Sequence, residues 1–331
     1  MPAIIGIDIA EATLAVALWR EGHEIVPAEF ANSPDGLNRL QRFLKKHQAT
    51  SAHACMEATG RYWETAAEFL VAHGYQVSVV NPARIKKYAE SQLARNKTDR
   101  LDAGLIAEFC RTQQPAPWTP PPPAVRELQA LIRQLDDLEA DRQRQRNRLH
   151  ALQHGAQPSP TVSTQLQQQI DFLTSQIEQL KQAIQDHIDQ YPDLQRDRDL
   201  LDTIKGIGPL TAAKLIAEYG DLRQFSGVRQ VVAFAGLNPR HRQSGSSIRG
   251  QTSISKMGRA SIRAALYLPA VVAQRHDPRL AAFAARLRAR GMSQMAIVVA
   301  VMRKLLHFAF GVLKSERPYD PYFQLSQAAQ T

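Results

Sequence analysis

Over roughly the first 90 residues the apolar positions come in short runs, and after them in long helical spacing. The run Ile4-Ile5-Gly6-Ile7-Asp8-Ile9-Ala10 reads as a buried strand with one acid in its middle. Thr13 to Trp19 and His23 to Phe30 read as two further strands separated by short polar turns. Ser33 offers an N-cap to an amphipathic helix from Asp35 to His47. Ala52 to Met56 gives a fourth strand closed by Glu57, followed by a helix from Tyr62 to Ala72. A fifth strand from Gln76 to Val80 and a helix from Pro82 onward complete the segment.

Three strands, then helix, strand, helix, strand, helix is the order of an α/β ribonuclease-H-like sheet, an order that actin-like kinases share. The stretch Asn96-Lys97-Thr98-Asp99-Arg100-Leu101-Asp102-Ala103 opens one more helix, continued through Leu105, Ile106 and Phe109. Pro115 to Pro123 is a stiff, extended linker. Beyond it Leu128, Leu131, Leu135, Leu138, Leu149 and Leu152, then Leu166, Ile170, Leu173, Ile177, Leu180 and Ile184, keep heptad spacing on two helices broken at His154 to Pro160. That pattern predicts an antiparallel coiled-coil hairpin or dimerisation arm.

From Leu200 the pattern predicts a mostly α-helical C-terminal domain. Ile204-Lys205-Gly206-Ile207-Gly208-Pro209 resembles a helix-hairpin-helix element, whose turn would let backbone amides approach a phosphate. A helical and turn segment from Phe225 to Pro239 leads to a polar loop, Arg240 to Gly250, and helical segments from Gly258 to Gln274 and Pro278 to Lys314 close the chain. The division expected is residues 1–114 as a catalytic domain, 115–124 as linker, 125–192 as arm and 193–331 as the C-terminal domain.

Charge sharpens this picture. The chain of 331 residues has a net charge of +10, and from Leu222 to Ser315 sixteen Lys and Arg stand against one acid, Asp277. So one-sided a stretch points to a polyanion, with nucleic acid ahead of an acidic membrane surface. The apolar run Met295 to Val312 is interrupted by Arg303 and Lys304, which argues against a membrane span. Two cysteines, Cys55 and Cys110, exclude a disulfide framework and a cysteine-rich zinc site. With no charged leader after Met1, a soluble cytoplasmic protein is expected.

The acids carry the candidate chemistry. Asp8 interrupts an apolar strand, where an ionised carboxylate is costly unless paired or metal-bound. Glu57 ends the strand that runs beside it in this fold order, and Asp99 and Asp102 share one face of a helix. Four carboxylates so placed suit Mg²⁺ or Mn²⁺, and two such ions can activate the attacking oxygen and stabilise the leaving one in phosphodiester chemistry. In the C-terminal half, Lys205, Gly206, Gly208, Arg240, Arg242, Arg249 and Lys256 are candidate nucleic-acid contacts. His241, Arg61 and Lys97 are weaker candidates, for catalysis or for charge pairing.

Gly6-Ile7-Asp8-Ile9-Ala10, Met56-Glu57-Ala58-Thr59-Gly60 and Lys97-Thr98-Asp99-Arg100-Leu101-Asp102-Ala103 resemble the RuvC-like DEDD domain of the bacterial transposases of insertion-sequence family one-ten. Ile207-Gly208-Pro209-Leu210-Thr211-Ala212, Gly236-Leu237-Asn238-Pro239-Arg240, Gln243-Ser244-Gly245 and Ile254-Ser255-Lys256-Met257-Gly258 resemble that family's C-terminal transposase domain. The resemblance spans almost the whole chain. It implies that Asp8, Glu57, Asp99 and Asp102 hold the metal ions, and that Ser244 attacks a DNA phosphate to form a transient covalent protein–DNA bond. Spacing does not choose among the serines from Ser244 to Ser255; the family motif picks Ser244, with Ser246 and Ser247 next. Also implied are a structured noncoding bridge RNA that supplies sequence specificity, double-stranded donor and target DNA, a dimer or tetramer, and a bacterial protein associated with the nucleoid when DNA-bound.

Three rivals compete with this recombinase. One is a RuvC-like junction endonuclease in which water attacks, one an actin-like kinase, and one a DNA-binding regulator with inert acids. The kinase needs a second phosphate-binding strand-turn motif, which the helical, basic C-terminal half does not offer.

Overall fold

Proline punctuates this chain, opening helices at Pro34, Pro82, Pro123, Pro160, Pro192, Pro209 and Pro278, where its fixed φ suits the first helical position and its missing N–H costs nothing. The computed structural model describes residues 2–58, 60–91, 99–240, 243–244, 248–249 and 253–322, with the side chains of 99–101, 240, 243–244 and 248–249 outside that description. Two units divide the chain, Met1–Pro120 and Pro121–Thr331.

The first unit holds strands β1 (Ala3–Ile9), β2 (Thr13–Trp19), β3 (Val26–Ala31), β4 (Ala52–Glu57) and β5 (Gln76–Val80). They form one sheet in the order β3-β2-β1-β4-β5. β1 to β3 pair antiparallel, while β4 pairs parallel with both β1 and β5. This mixed α/β sheet is compatible with the ribonuclease-H-like order expected from the strand pattern. Ser33 caps α1 (Pro34–Lys46), accepting from the Gly36 amide at 3.2 Å, a contact typically worth about 1 kcal/mol.

The sheet is covered on both faces, which explains why β1 reads as a continuous apolar run. Ile5, Ile7 and Ile9 pack with Leu14, Leu37, Leu40, Leu44 and Leu70, the last on α2 (Glu64–Ala72). On the opposite face Ile4, Ala17, Cys55 and Val80 meet Ile85 of α3 (Pro82–Ser91) and Ala103, Ile106, Ala107, Phe109 and Cys110 of α4 (Asp99–Gln113). α2 starts two residues later than the apolar pattern indicates, because 60–63 form a turn in which the Trp63 indole donates to Gly60 O.

The start of the proline-rich linker is not a free spacer. Trp118 N donates to Val77 O, Ser78 Oγ lies 2.9 Å from the carbonyls of Pro115 and Ala116, and Trp118 stacks edge-on against Trp63. Ser78 and His53, both buried, close this polar contact at 2.8 Å. The segment thus continues the first unit past β5 to Pro120.

In the second unit α5 (Pro123–Gln153) and α6 (Pro160–Gln190) form a helical hairpin, its antiparallel sense fixed by His187 Nε2 against Ala124 O at 2.8 Å. The basal half of the hairpin shares a core with the helices that follow: Leu128, Ile132, Leu135, Ile177 and Ile184 cluster with Leu215, Ile216, Leu266 and Leu305. Those helices are α7 (Pro192–Asp202), α8 (Pro209–Tyr219), α9 (Val228–Phe234), α10 (Ala260–His276), α11 (Pro278–Ala289) and α12 (Gln294–Ser315). α12 is long and apolar enough to cross a membrane, but half of its most apolar window is buried within this unit, with Val301, Leu305, Leu306 and Ala309 in the core. It reads as a core helix.

Candidate active site

Alternation along the strands sends Ile4, Gly6 and Asp8 to one face of β1 and Cys55 and Glu57 to the same face of β4. Ile7 pairs with Met56, so Asp8 and Glu57 follow at the next step of the parallel register. Both are half-buried, and each is engaged in an interaction within the chain.

A glycine brings the helix to this edge. A Cβ on Gly6 would stand 2.1 Å from Ala103 O and 2.3 Å from Ala107 N, so α4 crosses β1 in direct backbone contact. Farther along α4, Cys110 Sγ lies 3.8 Å from the carbonyl of His53, whose register partner is Ile4. α4 therefore runs against β1, and its first turn lies over the carboxyl end of the strand. From Gly6 to Asp8 is roughly 6.6 Å of strand, and from Ala103 back to Asp99 about 6 Å of helix, so the two advance together. Asp102 is half-buried on that first turn, and Asp99 is the first residue of α4, its side chain outside the described residues. The helix dipole favours acids in this turn.

Among the described residues no three His, Cys, Asp or Glu side chains already form a metal-binding group. The donor chemistry nonetheless fits a hard divalent cation: Asp8, Glu57 and Asp102 offer only carboxylate oxygens, and the backbone of Asp99 lies one turn away. The soft ligands sit deeper. Cys55 and Cys110 are free and buried, and the hydrogen bond to Cys110, together with burial, raises the Cys55 pKa and holds it as a thiol.

In the second unit the segment expected as a polar loop is instead two nested antiparallel pairs. β6 (Pro239–Arg240) pairs with β9 (Ser253–Ile254), and β7 (Gln243–Ser244) pairs with β8 (Ile248–Arg249). Ser244 lies opposite Ile248, at the end of β7 away from β6 and β9, and residues 245–247 lie outside the described residues. Ser246, Ser247, Arg242, His241 and Lys97 also lie outside, while Arg240 and Arg249 sit on β6 and β8. Local pattern misses these strands because two-residue pairs carry no apolar alternation.

The contacts that anchor this hairpin join two of the motifs quoted from sequence, Gly236 to Arg240 and Ile254 to Gly258, and add Arg263, which no sequence signal marked. Ser255 Oγ and Asn238 Oδ1 are 2.5 Å apart, Ser255 N donates to Asn238 O, and Arg263 donates to the carbonyls of Ala235 and Gly258. The two glycine motifs at Gly236 and Gly258 are in backbone contact: a Cβ on Gly258 would stand 2.2 Å from Phe234 O and 2.3 Å from Gly236 N. Gly258→Ala is therefore expected to lower stability by about 1–3 kcal/mol, read as a drop in the urea midpoint.

Lys205 and Lys256 are exposed, as phosphate contacts must be. Gly206 has a second reason to be glycine, since its φ is +100° and a Cβ would meet Pro269 O of α10 at 2.5 Å. Packing alone demands it. At Gly208, the N-cap of α8, a Cβ would find open space.

A mixed α/β sheet with Asp8 and Glu57 on neighbouring strands, followed by a basic, mostly helical unit, is compatible with a transposase, and sequence comparison shows that class. A profile described as "Transposase" matches residues 5–158, and a second, described as "Transposase IS116/IS110/IS902 family", matches residues 198–285. The pilin gene-inverting protein of Moraxella bovis is 34% identical over 324 residues, covering 96% of this chain and 97% of that protein. The transposase for insertion sequence element IS1111A of Coxiella burnetii is 26% identical, over 90% of this chain and 86% of the relative. The chain belongs to the IS116/IS110/IS902 family of transposases, enzymes that cleave and join DNA.

Proposed function

We propose that this transposase excises and inserts a mobile DNA element by transesterification, with Ser244 as the nucleophile. The observation that carries the reading is the end-to-end similarity to a protein named for inverting a gene. Inversion needs breaks whose ends are rejoined to new partners. A break made by water discards the phosphodiester energy, whereas a serine ester keeps it. In the forward step Ser244 Oγ bonds to phosphorus, one deoxyribose oxygen leaves, and the serine proton ends on that oxygen. A second deoxyribose hydroxyl then displaces the serine, and the phosphodiester is restored.

Asp8, Glu57, Asp99 and Asp102 hold the divalent ions in this reading. Two ions there would supply charge for the attacking and leaving oxygens. Arg240, Arg242 and Arg249, on or beside the serine hairpin, balance the charge that builds on the phosphate. Lys205, the Gly206–Gly208 turn and Lys256 contact the backbone. A bridge RNA pairing with donor and target would leave the protein to read backbone and shape, as the one-sided charge favours. Holding several strand ends at once calls for a dimer or tetramer.

The test is to trap the intermediate on a nicked element-end duplex and identify the attached peptide by mass spectrometry. The expected peptide carries DNA on Ser244. Cleaved DNA with no protein attached under any quench would assign the attack to water and leave a junction endonuclease.

A further inference from the structure

Acids pair with some of the second unit's cations and leave others without a direct ion pair. In the helices before the serine hairpin several are paired with acids: Lys214 meets Asp136 at 2.6 Å, Arg198 meets Asp189 at 2.8 Å and Arg223 meets Asp197 at 2.5 Å. On α11 and α12 such pairing stops. Among the described residues, no carboxylate lies within ion-pair distance of Arg279, Arg286, Arg303, Lys304 or Lys314. The one acid between Leu222 and Ser315, Asp277, is buried and already engaged. Its Oδ1 accepts the Leu280 amide at the head of α11, and its Oδ2 accepts the Tyr319 hydroxyl.

Three of these five cations lie over rings instead. Arg279 sits over Phe308 at 5.1 Å and Lys304 over Phe283 at 5.4 Å, two crossings that run α11 against α12 and alternate charge with ring along the seam. Lys314 covers Phe310 at 5.3 Å. A ring face orients a cation without cancelling its charge. Arg303 Nε is buried with no acceptor among the described residues. His307, one turn beyond, titrates below its ordinary value through burial and the nearby charges of Lys304 and Arg303. No carboxylate among the described residues pairs directly with these cations, and the charge of buried Asp277 reaches Arg279 only by way of the Tyr319 hydroxyl.

We propose that the α11–α12 seam is a phosphodiester-binding face for duplex DNA, on elements separate from the serine hairpin, with Arg286 and Lys304 among its phosphate contacts. A duplex fits better than a single strand. Unpaired bases need open aromatic faces on which to stack, and here Phe283, Phe308 and Phe310 are only part-exposed, each with a cation over its ring. The straight run from Arg303 to Lys314, roughly 16 Å of helix, offers rigid charges to a rigid backbone. The choice of DNA rests on the recombinase reading; the measurement itself requires no cleavage.

The experiment follows the affinity of the full chain for a fluorescent duplex of arbitrary sequence across a salt series. Arg286→Gln with Lys304→Gln is expected to reduce the steepness of log affinity against log salt by about two, roughly one for each phosphate no longer neutralised, and to weaken binding by about tenfold or more at fixed salt. Arg286→Lys with Lys304→Arg keeps the slope. Should the double variant fold poorly by circular dichroism, Arg286→Gln alone, on an exposed side chain, must lower the slope by about one. An unchanged slope overturns the proposal, as does a reduction confined to duplex RNA. Full binding with no covalent adduct would sink the serine mechanism and leave this face standing.

Discussion

Ser244→Ala is expected to bind element-end DNA as the native protein does and to cut it at least about a thousandfold more slowly. The side chain removed is the proposed point of attachment, and a nucleophile that acts through a covalent intermediate has no partial substitute. Alanine is well tolerated by a short strand, so the hairpin pairing of Ser244 with Ile248 should survive and separate chemistry from folding. Cleavage is read on a labelled duplex, with binding followed separately by fluorescence. A variant that cuts at the native rate would remove the serine from the mechanism. Should Ser246→Ala or Ser247→Ala abolish the adduct while Ser244→Ala does not, the nucleophile moves within the hairpin and the transesterification stands.

The second large effect is structural and reaches the acids indirectly. Gly6→Ala places a methyl group 2.1 Å from Ala103 O, where α4 touches β1 backbone to backbone. Neither partner is a flexible side chain, so the helix has to move. A stability loss of about 3 kcal/mol is expected, with α4 lifted and Asp99 and Asp102 displaced from Asp8 and Glu57. Gly104→Ala, on the same helix with open space around its added methyl, supplies the contrast. It should leave stability unchanged or raise it by up to about 1 kcal/mol through helix propensity. Urea denaturation of the two variants reads the difference; equal effects would refute the close crossing.

Strong local signals were legible without the structure. The alternation from Thr13 to Trp19 and the run from Gln76 to Val80 match β2 and β5 residue for residue, and Ser33 caps α1 as its side chain and position required. Weak local signals were not. The strands around Ser244 are two residues long and polar, and the extended proline segment carries nothing that marks Trp118 as a residue docked on Val77 and Trp63. Among the candidate residues Asp8 stood out, since an acid inside an apolar strand is expensive. Asn238 and Ser255 lay within quoted motifs but carried no structural role there, and Arg263 carried no signal at all, because polar residues near glycines are common on any surface.

By itself the sequence determined the strand order, the acids, the basic C-terminal half and, through its motifs, the family. Each of these rests on residue type and spacing, which folding does not alter. The tertiary structure decided that α4 runs against β1 at Gly6, that Gly206 answers to α10, that the hairpin base is clamped by Gly236 and Gly258, and that the cations of α11 and α12 have no acids to meet among the described residues. Those facts depend on backbone approach and on charge across elements distant in sequence. A pattern read over neighbouring residues holds no information about either.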